Sequence, residues 1–417
     1  MRLYHRDGTT IHLAYCTNVL PAEDLDGIVR QLDVIGEPVR QRLEVPLLGL
    51  GLWLARDIAH ALVNDRCALT RLRQELEARG LEVVTLNAFP YRGFQQPVVK
   101  HAVYTPDWAD PSRAAYTLDT ARVLSALLPD DAAHGSVSTL PLGWRTGWTP
   151  ERHHTARRHL SRLAEELARL AASEGRVIRV GLEPEPGCVL STIGDAPGLL
   201  DALDSAWLGV CVDTCHLAVD FEPPALALRE LSAAGVPVVK AQLSAALQAD
   251  DPLDAETRRA LELFDEPRFL HQTRAGHLDP TRRRRWDDLG DALRHPTGRD
   301  PDPPGPWRVH YHVPLHADPQ PPLTATRRVL TEAVHALAGG PRPATDHLEV
   351  ETYTWSVLPP SVRPASDHAL ATAIAGELAW ARTELLRAGL LEHPPATRTT
   401  PLTDPDAARR AVGEEAP

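Results

Sequence analysis

Nine short β-like runs alternate with helical stretches between residues 11 and 355, and parallel strand–helix–strand units are what such alternation dictates. The runs are 11–19, 48–54, 81–89, 135–143, 176–186, 207–216, 236–244, 307–315 and 347–355. Eight of them suffice to close a (β/α)8 TIM barrel. One of two runs, 48–54 or 307–315, is therefore expected to be an edge strand or a partly extended loop. The clearest helix covers 151–174, with Thr149 to cap it, Pro150 at its first position, Leu160, Leu163, Leu167 and Leu170 along one face, and Gly175 to end it.

A chain of 417 residues is comfortable for one such barrel with insertions. The reading is a single barrel domain over 1–391, with an insertion at about 245–306 that carries extra helices near the site, and a disordered tail over 392–417 that is poor in large apolar residues. Hydrophobic residues at 43% and charged residues at 24% exclude collagen-like, coiled-coil and wholly disordered chains. The net charge of -12 argues against a nucleic-acid partner, since proteins that wrap phosphate backbones carry a basic surplus. The one strong basic run, Arg282 to Arg285, reads as a solvated face. No apolar run approaches the ~18 residues of a membrane span, and the first residues lack a signal-peptide core, so a cytoplasmic location is expected. Five cysteines without a CxxC pair suggest neither a disulfide framework nor a thiolate zinc knuckle.

The polar positions of the strands carry the chemistry. In a parallel barrel the outward strand face lies under helices, whereas inward residues near the carboxyl ends line a mouth and can be polar. Glu349 and Glu351 share one face of LEVET, and Glu183 and Glu185 share one face of GLEPEP. Lys240, Gln242 and Ser244 fall together in KAQLS, as do His310 and His312 in HYHVP, while Asp213 ends its strand with His216 just beyond. Burying so many carboxylates together is costly without compensation, and a divalent cation is the simplest compensation. Carboxylate oxygen with imidazole nitrogen suits Mn²⁺, Mg²⁺, Co²⁺ or Zn²⁺ without choosing among them.

These motifs resemble the xylose isomerase-like TIM-barrel superfamily of sugar isomerases, ketose epimerases and endonuclease IV-type enzymes. EPEP at 183–186 is similar to the EPKP of xylose isomerases, which implies a metal-ligand role for Glu183, with Glu185 in place of the lysine. DTCH at 213–216 is similar to the Asp-x-x-His segment of the epimerases and endonuclease IV, which implies metal binding by Asp213, and substrate or second-metal binding by His216. Glu351 falls where the last strand supplies a metal-binding Glu. The penultimate strand of the family contributes a His, and Gln242, His310 and His312 compete for that place. A longer series, including HLAYCTN, LNAFPYRGF, LPLGW, FLHQTR, HYHVPLH and HLEVETYTWSVLP, resembles the EboE family of TIM-barrel proteins encoded in bacterial and algal Ebo clusters. That resemblance implies a role in metabolite traffic and a prenyltransferase-like membrane protein as partner.

The leading expectation is metal-assisted proton transfer beside a carbonyl, isomerising or epimerising a sugar, sugar phosphate or similar polyol. Glu183, Asp213, Glu351 and one of Gln242, His310 or His312 would hold the metal. Glu183 and Glu351 would exchange the proton and His216 would hold a substrate oxygen. Lys240 would either neutralise developing charge or pair structurally with Glu185. Two alternatives stand beside it: a non-catalytic metabolite carrier, and a multi-metal phosphodiesterase, the latter disfavoured by the acidic charge. Asn87 and Gln95 are candidates to reach substrate hydroxyls. Trp108, Trp144, Trp148, Tyr91, Phe94 and Trp355 are candidates for a hydrophobic lid.

Overall fold

The computed structural model describes residues 1–277, 279–295 and 305–394. Eight parallel strands close a barrel: β2 (Thr10–Cys16), β3 (Leu48–Trp53), β4 (Leu81–Ala88), β5 (Gly135–Thr139), β6 (Ile178–Leu182), β7 (Leu208–Asp213), β8 (Val238–Leu243) and β14 (His347–Val350). The ring closes between β2 and β3, where Ala14 pairs with Gly49 and Tyr15 with Leu50. β1 (Arg2–Tyr4) adds an antiparallel edge to β2, and Tyr4 is bonded in turn by Leu391 near the chain's last helix.

The strands are buried almost end to end, as expected when helices cover the outside and side chains fill the lumen. One lumen contact fixes a glycine. A Cβ on Gly51 of β3 would lie 1.5 Å from Glu349 Oε1, so only glycine leaves room for that carboxylate. Glu349 in turn forms a fully buried ion pair with Lys240 of β8. The helix Pro150–Glu174 follows the sequence expectation: Thr149 Oγ1 accepts from the Arg152 amide, Leu160, Leu163 and Leu167 are buried, and Gly175 adopts a left-handed φ of 68°.

Between β8 and β14 the chain leaves the barrel for far longer than the expected insertion. It builds a five-stranded antiparallel sheet from β9 (Ala246–Ala249), β10 (Thr273–Ala275), β11 (Arg284–Trp286), β12 (Trp307–His312) and β13 (Thr324–Ala325), in the order β11-β10-β12-β9-β13. The excursion does carry short helices, Ala255–Glu262 and Leu289–Arg294, but the sheet is its scaffold. Of the two contested runs, 48–54 is therefore the barrel strand. The run 307–315 is central to the second sheet because its partners, β9 and β10, lie in the same excursion. The expected disordered tail at 392–417 falls, from residue 395 onward, outside the described residues.

Candidate metal centre at the barrel mouth

Three acidic side chains stand at the tips of β6, β7 and β14, with β8 between the last two. Glu183 follows β6, Asp213 ends β7, and Glu351 follows β14; oxygens of all three lie within 4.8 Å of one another and all three residues are buried. The neighbouring bonds fix which oxygens remain available. Asp213 caps the helix Thr214–Val219, its Oδ1 accepting from the amides of Cys215 (2.7 Å) and His216 (3.1 Å) and from Ser244 Oγ (2.7 Å). Glu351 Oε1 accepts from Asn18 Nδ2 (2.6 Å) and Asn87 Nδ2 (3.1 Å). Gln242 Nε2 bridges the remaining pair, donating to Glu183 Oε1 (2.9 Å) and Glu351 Oε2 (2.6 Å).

Four buried acceptors are left over: Glu183 Oε2, Asp213 Oδ2, Gln242 Oε1 and His312 Nε2 have no hydrogen-bond partner among the described residues. Each orphaned buried acceptor costs about 1–3 kcal/mol. A cation bound by carboxylate, amide and imidazole donors removes that cost for all of them together, so the residues present fit a divalent metal.

The imidazoles are oriented from outside the barrel. His312 Nδ1 lies 2.6 Å from the Glu351 carbonyl oxygen, an acceptor only, so this nitrogen carries the proton and Nε2 is a bare lone pair, 3.9 Å from Asp213 Oδ2. His216 Nδ1 donates to the Pro184 carbonyl (2.8 Å) and His310 Nδ1 to Gln272 Oε1 (2.7 Å). Their Nε2 atoms then face one another at 3.1 Å, each without a proton when neutral.

Burial dominates the electrostatics. It pushes the Glu183 carboxyl well above its ordinary range, reinforced by Glu351 and Asp213. Burial followed by Asp213 and Glu349 does the same to Glu351. For Asp213 burial works upward, yet His216, His312 and Ser244 hold it below the ordinary carboxylate range. Burial lowers His312 to about 4 and His310 well below the usual imidazole range.

Of the residues expected to hold the metal or carry the proton transfer, all but one gather at this mouth. The penultimate barrel strand is β8, which carries Gln242, while His310 and His312 descend from β12, where the pairing with β9 slips between Val309 and His312. The exception is Lys240. It sits one turn of the pleat deeper, paired with Glu349 rather than Glu185, and does not line the mouth. Glu185 is held instead by Tyr104 Oη (2.5 Å) and Gln272 Nε2 (3.1 Å). Lys100 reaches the mouth's edge, but its Nζ is bonded to Asp288 (2.6 Å).

The mouth is a small cavity of about 50 Å³ lined on one side by Phe94, Val99, Tyr104, Phe269 and Tyr353. Of the predicted lid aromatics only Phe94 lines it; Trp108 is core, donating Nε1 to the Leu140 carbonyl, and Trp355 lines a separate groove. Asn87 is at the site as expected, whereas Gln95 bonds the Asn18 carbonyl and does not line the cavity. That separate groove, about 590 Å³ and largely apolar, includes none of the mouth carboxylates. Sequence reasoning missed Asn18, Tyr104, Gln272 and Tyr353. Only Asn18, directly after β2 where a barrel strand's tip faces the mouth, carried a positional signal.

A family model described as xylose isomerase-like TIM barrel matches residues 51–266, more than half of the chain. No curated protein matches the sequence significantly. Among solved structures, a candidate sugar phosphate isomerase/epimerase from Anabaena variabilis is 15% identical with a TM-score of 0.50, covering 91% of this chain and all of its own. An L-ribulose 3-epimerase is 13% identical at a TM-score of 0.47, covering 98% of this chain and 100% of its own. A xylose isomerase-like TIM barrel protein from Mycobacterium smegmatis, in complex with magnesium, is 12% identical at 0.47, covering 90% and 98%. At 15% identity and a TM-score of 0.50, the first of these likenesses bears on the fold alone.

Proposed function

The chain belongs to the xylose isomerase-like TIM barrel family, and from that premise we propose that it is a divalent-metal-dependent isomerase or epimerase that moves a proton beside the carbonyl of a small sugar or polyol. The observation that carries the reading is the convergence of Glu183, Asp213 and Glu351 with four orphaned acceptors in a dry pocket. Glu183, Asp213, Glu351 and His312 would hold the ion, with Gln242 either ligating through Oε1 or spacing the two glutamates through Nε2. A bound divalent ion supplies Lewis-acid polarisation of a carbonyl and its neighbouring hydroxyl.

The chain's own groups do the rest. Glu183 and Glu351 flank Gln242, and their raised proton affinities suit one carboxyl to hold a proton while the other accepts one from carbon. The Nε2 atoms of His216 and His310, 3.1 Å apart, would meet substrate hydroxyls beside the aromatic wall of the mouth. Lys240 acts through Glu349, holding the lumen beneath the site. Incubation with Mn²⁺ and a panel of aldoses and ketoses in D2O tests this. Deuterium should appear at the carbon next to the carbonyl, and not with Glu351→Gln; a sugar that binds without exchange under any divalent ion contradicts it.

The apolar lining of the mouth favours one second reading. A metabolite held under Phe94, Phe269 and Tyr353 would be shielded from solvent, as the carrier role implied by the EboE resemblance requires. A ligand recovered unchanged after prolonged incubation with metal supports carriage, with a membrane partner for delivery.

A further inference from the structure

We propose that the barrel floor holds a second metal site, formed by His134, Asp346 and His347 and suited to Zn²⁺ or Co²⁺. His134 immediately precedes β5, Asp346 immediately precedes β14, and His347 is the first residue of β14. The site therefore lies at the amino ends of the strands. Glu351 lies four positions beyond His347, roughly 13 Å at the rise of a parallel strand, so no ligand is shared with the mouth.

The three side chains cluster closely. Asp346 Oδ1 is 3.2 Å from His134 Nε2 and 4.0 Å from His347 Nε2, one ligand atom from each residue lies within 4.8 Å of the others, and the two imidazoles stack at 4.8 Å. Two ligands of one ion with bonds near ~2.0–2.1 Å stand about 3–4 Å apart.

The second observation is independent of that clustering. Ser136 Oγ gives its own hydrogen to Thr85 Oγ1 (2.8 Å), so it accepts from His347 Nδ1 (2.7 Å), which must carry the ring proton. Nε2 of His347 is then a bare lone pair on a side chain only 1% exposed. It is turned towards Asp346 Oδ1 at 4.0 Å, beyond hydrogen-bond reach, while His134 Nε2 approaches the same oxygen at 3.2 Å. A cation between His347 Nε2 and Asp346 Oδ1 satisfies both. Two imidazole nitrogens and one carboxylate oxygen favour Zn²⁺ or Co²⁺ over Mg²⁺, and His134 and Asp346, 17% and 19% exposed, leave an access path and room for water. The ion would clasp the loop before β5 to the start of β14, two segments on opposite sides of the ring.

The test is a Co²⁺ titration of the chelator-stripped full chain, followed by visible absorption and calorimetry, with folding checked by circular dichroism. His134→Ala, at a partly exposed loop position, should lose one bound Co²⁺ per chain and the matching part of the d–d absorption, or weaken that site at least tenfold. Asp346→Asn should do the same, while Glu351→Gln should leave this site filled. Unchanged stoichiometry and affinity in both floor variants overturns the proposal, whatever the mouth binds.

Discussion

His312 gives its Nδ1 proton to the carbonyl oxygen of Glu351 at 2.6 Å, so a residue of the inserted sheet is oriented by the backbone of a candidate metal ligand on the barrel. The bond makes Nε2 an acceptor and turns it over Asp213. The barrel and its excursion thus meet at this atom pair, among others.

His312→Ala should lower Mn²⁺ affinity at least tenfold and leave the barrel folded, since the side chain contributes one ligand and little of the core. Isothermal titration calorimetry reads the affinity. Full-strength binding by the variant would remove His312 from the ligand set.

Metal binding at the mouth should release protons and tighten as pH rises. Burial, then the neighbouring acids, raises the proton affinity of Glu183 and Glu351, so the metal-free carboxyls hold protons that ligation must displace. Calorimetry in buffers of different ionisation enthalpy measures that release. The trend should flatten in Glu183→Gln.

Glu349→Gln should destabilise the fold by about 3–5 kcal/mol, because it strands the ammonium of Lys240 in a dry lumen. Pairing it with Lys240→Met should recover much of the loss. Gly51→Ala should be at least as damaging, its methyl falling on Glu349. Urea melts give all three.

Glu377 supplies a pH signature. Burial raises its carboxyl to about 7, against hydrogen bonds from Thr352 and the Leu315 amide. A folded value above the unfolded ~4.3 means the folded state binds the proton more tightly. That stability is fully present below about pH 4 and is lost as pH climbs through 7. Glu377→Gln should flatten the fall between pH 5 and 8 in thermal melts, and an unchanged slope would assign the pH dependence elsewhere.

The barrel was legible because its strands repeat one signal, an apolar run tipped by polar residues and followed by a helix. The same signal misleads at 307–315. An antiparallel strand inside an excursion looks identical along the chain, and only its hydrogen bonds to Thr273–Ala275 and Ala246–Ala249 tell it apart. Glu183, Asp213 and Glu351 were legible from their strand tips. The partner of Lys240 was misjudged because Glu185 and Glu349 both follow period-two patterns, and adjacency of β8 to β14 decides for Glu349. Tyr104 and Gln272 lie outside the regular strands, so no periodicity marks them.

Anomalous diffraction from crystals grown with Mn²⁺ tests the mouth most directly. A single peak about 2.1–2.2 Å from oxygens of Glu183, Asp213 and Glu351, absent in Glu351→Gln crystals, is the expected result. A mouth without anomalous density at saturating Mn²⁺, or a peak bonded to none of these three, would contradict a metal-dependent function.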